Sequence, residues 1–113
     1  MVSYGWIFTK KVKKVIKITE KLNFLSKNTN GKIFSECLKI QSTLENMAIA
    51  QHISKKDFML MKKIINNSIS SIREIAPVTL PKLYREQLKE IKMLIQEFYE
   101  MFDDKDINHE NIK

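Results

Sequence analysis

Tyr84, Leu88, Ile91, Ile95, Phe98 and Phe102 follow one another at steps of four, three, four, three and four residues. Only an α-helix gathers such positions on one side, because its 3.6-residue turn brings every third or fourth side chain back to the same face. The pattern occurs in four segments. Phe8, Val12, Val15, Ile18, Leu22 and Leu25 share one side of residues 4–25. Ile33, Cys37, Ile40, Leu44 and Met47 do so in residues 32–51, where Phe34, Leu38, Ala48, Ile49 and Ala50 widen the apolar face. Phe58, Met61, Ile65, Ile69, Ile72 and Ile75 make the third seam, in residues 55–75. Leu80, Leu94 and Met101 broaden the fourth, in residues 80–102.

The residues between the seams are helix punctuation. Asn28-Thr29-Asn30-Gly31 reads as a turn. Ser54-Lys55-Lys56-Asp57 reads as a capping box, with Ser54 as N-cap. Pro77 stops the third helix, and Thr79 caps the fourth with Pro81 in its first turn. The weak helix formers Asn66-Asn67-Ser68 leave the middle of the third helix dependent on packing. Asp103 to Lys113 has no periodicity and is expected to be a polar, frayed tail. With two Gly and two Pro in 113 residues, the chain lacks the turns of a sandwich or barrel. Links of a few residues make consecutive helices antiparallel. The expected fold is all-α: an up-down-up-down antiparallel four-helix bundle over residues 1–102, with 103–113 as its tail.

The charge is concentrated at one end. The chain holds 20 bases and 13 acids; the first 27 residues hold seven lysines and only Glu20, which leaves 13 and 12 for the rest. Lys10, Lys13, Lys14, Lys17 and Lys21 form a stripe on the first helix opposite its apolar seam. Lys11 falls near the seam, where its stem can lie along the core while its head reaches water. Charged helix faces are commonly just solvated. Here, however, like charges at i,i+3 and i,i+4 spacing repel by about 0.2–0.5 kcal/mol per pair, and an anionic partner relieves that cost. A phosphate backbone is such a partner, tracked by lysines acting as point charges rather than reading bases. These five lysines are the candidate nucleic-acid-binding residues.

Catalytic and metal signatures do not emerge. Cys37 falls on a core seam and reads as a buried, unreactive thiol. His52 and His109 have no ligand-spaced partners, and Gly5 and Gly31 form no phosphate loop. We expect no enzyme activity, no cofactor and no metal. A lone cysteine, the lack of a long apolar run and the lack of a signal-peptide core predict a soluble, cytoplasmic protein. Trp6 beside lysines also resembles a membrane-surface helix, although the apolar face of helix 1 is needed by the bundle. The rich apolar surface of helices 2 and 4 predicts contact with a protein partner or a second copy, and Met47, Met59, Met61, Met93 and Met101 suit an adaptable interface.

One stretch carries a family resemblance. Gly31 opens a long apolar helix closing in Ile49-Ala50-Gln51-His52. The Ser54-Lys55-Lys56-Asp57 link and a helix ending Ser71-Ile72-Arg73-Glu74-Ile75-Ala76 follow. Leu80-Pro81-Lys82-Leu83-Tyr84 then enters the last helix, which contains Ile91-Lys92-Met93-Leu94-Ile95. This layout resembles the accessory variability determinant family of diversity-generating retroelements and the related ribosomal-RNA intervening-sequence proteins. Where that family often closes its last helix in Gly-Trp, this chain has Gln96-Glu97-Phe98. The resemblance implies a basic, ring-forming four-helix protein that binds a reverse transcriptase and its template RNA without catalysis of its own. The expected function is that of a non-catalytic basic accessory bundle binding nucleic acid, RNA above all, and a protein partner. The alternative is a small protein-binding module of the immunity, antitoxin or phage-inhibitor kind.

Overall fold

The computed structural model describes residues 10–29, 31, 33–50, 52–75, 81–102 and 107–108. The described residues form four helices: α1 (Lys10–Lys27), α2 (Phe34–Ile49), α3 (Lys55–Glu74) and α4 (Pro81–Tyr99). Two-residue strands β1 (Ile53–Ser54) and β2 (Ile107–Asn108) pair in parallel, Ile53 with Ile107 and Ser54 with Asn108. The described chain is otherwise all-α. The expectations for Tyr4 to Thr9, including Trp6 and Phe8, and for Pro77, Thr79 and Leu80 lie outside the described residues. So does the expected tail, apart from the short β2.

The end of α1 and the start of α3 have local causes. Beyond α1, the Ser26 carbonyl accepts the Thr29 and Gly31 N–H groups at 3.2 and 3.0 Å, and the Thr29 hydroxyl at 3.0 Å. The chain can close this way because Gly31 takes a left-handed φ of 79°, open to a residue without Cβ. These bonds carry α1 two residues past the expected end at Leu25. Ser54 caps α3: its hydroxyl accepts the Asp57 N–H at 3.0 Å. α3 runs unbroken through Asn66, Asn67 and Ser68. Ile65 and Ile69 on either side are buried, so tertiary packing offsets the poor propensity there.

The core is a single cluster drawn from all four helices. Ile18, Leu22, Ile33, Ile40, Leu44, Met47, Ile65, Ile72, Ile91 and Phe98 are essentially sealed from water. α1 packs on α2 and on α4, and α2 packs on α3. Two hydrogen bonds stitch neighbouring helices. The Cys37 thiol donates to the Leu22 carbonyl at 3.6 Å, linking α2 to α1. The Tyr84 hydroxyl donates to the Ile72 carbonyl at 2.6 Å, linking α4 to the end of α3. Burial pushes the Tyr84 hydroxyl up to about 12 and the Cys37 thiol up to about 11. Cys37 is therefore a buried, protonated thiol, as its place on the seam predicts.

An aromatic cluster closes the opposite end of the α3–α4 pair. Phe58 meets Tyr99 edge-on at 6.2 Å between ring centres, and Phe102 lies 5.3 Å from Phe58 and 5.2 Å from Phe98. The Lys62 ammonium stands 5.0 Å above Tyr99, and that of Lys11 stands 4.7 Å above Phe102. Lys11 thus keeps its charge over a ring face at the edge of the core.

The apolar residues outside the fully buried set divide. Ala48, Met61 and Met101 pack against the core, half-buried. Phe34, Leu38 and Ile49 on α2, Met59, Leu60 and Ile64 on α3, Ile75 just beyond it, and Leu83 and Met93 on α4 stand exposed. Met47, on the α2 seam and also read as an interface methionine, is a core residue with no exposed surface.

Candidate nucleic-acid interface

The lysine stripe lies on α1, but its five members fall into two groups. Lys10, Lys13 and Lys17 are exposed. Lys14 and Lys21, on the stripe's edge nearest the buried seam, are half-buried and cross to α4. The Lys14 ammonium meets Glu97 at 2.7 Å and the Lys21 ammonium meets Glu90 at 2.7 Å. The hydrogen bond and charge of Lys14, with a smaller contribution from Lys17, hold the Glu97 carboxyl below its ordinary 4.5. The five lysines are therefore not the one outward stripe that their spacing alone predicts. Both pairs carry exposed carboxylates, so each stabilises the fold only modestly. Their larger effect is to commit two of the five cations to a neighbouring helix.

A sequence signal for this pairing exists. Lys14 and Lys21 are seven residues apart, and so are Glu90 and Glu97. Seven residues is two helical turns, so equal intervals on helices running in opposite directions meet as two rungs. Lys17, between the two rungs, faces a shallow groove of about 240 Å³ shared with Met93 and Leu94 of α4.

α4 is charged differently on its two flanks, a feature that reading each seam alone did not reveal. Glu90 and Glu97 lie towards α1. Arg85, Lys89 and Lys92 line the other flank, where with Arg73 of α3 they border a cleft of about 450 Å³ over Leu88. A second open groove of about 600 Å³ runs along α3 between Lys56, Lys62 and Lys63, with Met59 and Leu60 in it. Among the described residues no group of three or more His, Cys, Asp or Glu side chains is placed to hold a metal ion. No described helix is long and apolar enough to cross a membrane.

No protein-family model matches the chain, and no curated protein and no solved structure matches it. What the surface can do therefore rests on its own geometry. The exposed lysines of α1 are point charges along one helix, better suited to neutralising a line of anions than to bidentate recognition. They present no nucleophile, acid–base pair or ligand set.

Proposed function

We propose that this chain is a non-catalytic, basic accessory protein that holds a nucleic-acid backbone, RNA first, along α1. The proposal takes the fold to be an antiparallel up-down-up-down four-helix bundle. The two rungs between α1 and α4 and the Tyr84–Ile72 bond between α3 and α4 support that arrangement. The observation that carries the functional reading is charge that the fold leaves uncompensated. Residues 10–27 hold seven lysines and one acid, and α4 supplies close carboxylates to Lys14 and Lys21 only, among the described residues. Lys10, Lys13 and Lys17 remain as an exposed positive edge that counterions or phosphates must satisfy. A cytoplasmic setting goes with this reading.

The resemblance to accessory variability determinant proteins makes a reverse transcriptase the protein partner to try first, and a homo-oligomer the assembly to look for. Exposed Phe34, Leu38 and Ile49 on α2 support an apolar protein contact. The second reading, a protein-binding module, is favoured by the basic cleft between α3 and α4.

Binding of a fluorescent single-stranded RNA of about 20 nucleotides tests the proposal. Affinity should fall steeply with salt, with a slope of log K against log salt of about −2 or steeper for three or more phosphate contacts. A flat salt response, or no binding at low salt, sinks it. Light scattering with and without nuclease treatment reads the assembly state and any co-purifying nucleic acid together.

A further inference from the structure

We propose that the cleft between α3 and α4 is a docking groove for an acidic amphipathic helix of a partner protein. This deepens the protein-partner part of the function proposed above and does not depend on nucleic-acid binding. The cleft has Arg73 on the α3 side and Arg85, Lys89 and Lys92 on the α4 side. Leu88 is buried at its base and Met93, 57% exposed, stands at its lip. None of its described lining residues is an acid. Arg85, Lys89 and Lys92 stand at steps of four and three, so they run along one flank of α4 for about 10 Å at 1.5 Å per residue. Lys62, over Tyr99, continues the positive charge towards the aromatic end.

Charge complementarity and an apolar base together select the occupant. A phosphate backbone would satisfy the cations and leave Met93 uncovered. A helix with acids on one edge and aliphatic side chains on its face covers both at once, its apolar seam resting on Met93 and on the lysine and arginine stems. The protein already uses this recognition once. On the other flank of α4, carboxylates seven residues apart sit on lysines seven residues apart, each at 2.7 Å. Lys89 and Lys92 stand one turn apart on the flank facing the cleft. A partner helix carrying acids one turn apart would meet them in the same way, with the signs exchanged.

The probe is a labelled, helix-stabilised 15-residue peptide with leucines on one face and glutamates one turn apart beside them. A scrambled peptide of the same composition and a single-stranded RNA are run in parallel by fluorescence anisotropy on the full chain. The designed peptide should bind at least about tenfold more tightly than its scramble, the size expected of a docked apolar anchor with close charge pairs. Lys89→Glu with Lys92→Glu, and separately Met93→Glu, should each weaken it about tenfold or more while the circular dichroism stays native. Lys10→Gln, Lys13→Gln and Lys17→Gln together should leave peptide affinity unchanged. Absence of peptide binding, equal binding of the scramble, or full affinity in the Lys89/Lys92 variant overturns the proposal. So does a result in which those two substitutions abolish RNA binding while the peptide never binds, because the cleft then belongs to nucleic acid. Loss of RNA binding alone, with peptide docking intact, removes the nucleic-acid reading and leaves this one standing.

Discussion

Replacing Lys10, Lys13 and Lys17 together by Gln separates the exposed part of the α1 stripe from the part committed to α4. All three are exposed, and none has an ion-pair partner within 4 Å among the described residues. The substitution therefore removes charge without opening the core. On a single strand each phosphate contact adds about 0.7 to the slope of log K against log salt, so three lost contacts flatten it by about 2. At roughly 0.1 M salt the same relation is worth about fivefold per contact and about a hundredfold for all three. Lys14→Gln with Lys21→Gln is the internal comparison. To reach a phosphate, each of these lysines must first leave a carboxylate 2.7 Å away, so its net gain is smaller. The double variant should flatten the slope by less than about 1. Anisotropy titrations of the same RNA between roughly 50 and 300 mM salt give both slopes directly. A triple variant whose slope stays within about 0.5 of the parent refutes the assignment of these lysines. A native double variant that loses more than the triple refutes the division of the stripe.

Three further outcomes follow from the fold. Tyr84→Phe removes a buried 2.6 Å hydrogen bond, but the Ile72 carbonyl keeps the Ile75 N–H at 3.2 Å. The loss should be about 1 kcal/mol, or about 4 °C in thermal midpoint, and a loss above about 3 kcal/mol contradicts that satisfied carbonyl. The Glu97 carboxyl, held below 4.5 in the folded chain, contributes stability above that pH and loses it as pH falls through its folded value. Glu97→Gln should therefore flatten urea-midpoint curves only below about pH 4.5, and an unchanged acid limb contradicts the Lys14 pairing. The Cys37 thiol, raised from 9.0 to about 11, makes stability fall as pH climbs from 9 towards 11. It should resist a disulfide reagent at pH 8 and react at the rate of unfolding; rapid labelling of native protein contradicts its burial.

What was legible in the sequence, and what was not, divides along the range of the interaction. On α2 the residues read as the seam, Ile33, Cys37, Ile40, Leu44 and Met47, are the ones that are buried. On α4 Tyr84, Leu88, Ile91, Ile95 and Phe98 are buried likewise. The flanking apolar residues were harder: Phe34 and Leu38 read like core and are exposed, because only a neighbour's position decides how wide a buried face is. Ile75, the last residue of the third seam, falls just beyond α3 and is exposed. The cleft was not visible at all, since Arg73 and Lys92 are remote in sequence and each alone looks like an ordinary solvated charge.

The sequence by itself determined four helical segments, their buried seams, the Ser54 cap, the turn through Gly31 and the concentration of charge in the first 27 residues. Each of these is a local matter of periodicity, backbone conformation or composition. Only the tertiary structure decided which of those charges remain available. Packing α1 beside α4 set Glu90 and Glu97 against Lys21 and Lys14, and turned the basic flank of α4 towards Arg73. Coulomb energy depends on distances between side chains far apart along the chain, and those distances exist only once the helices have docked.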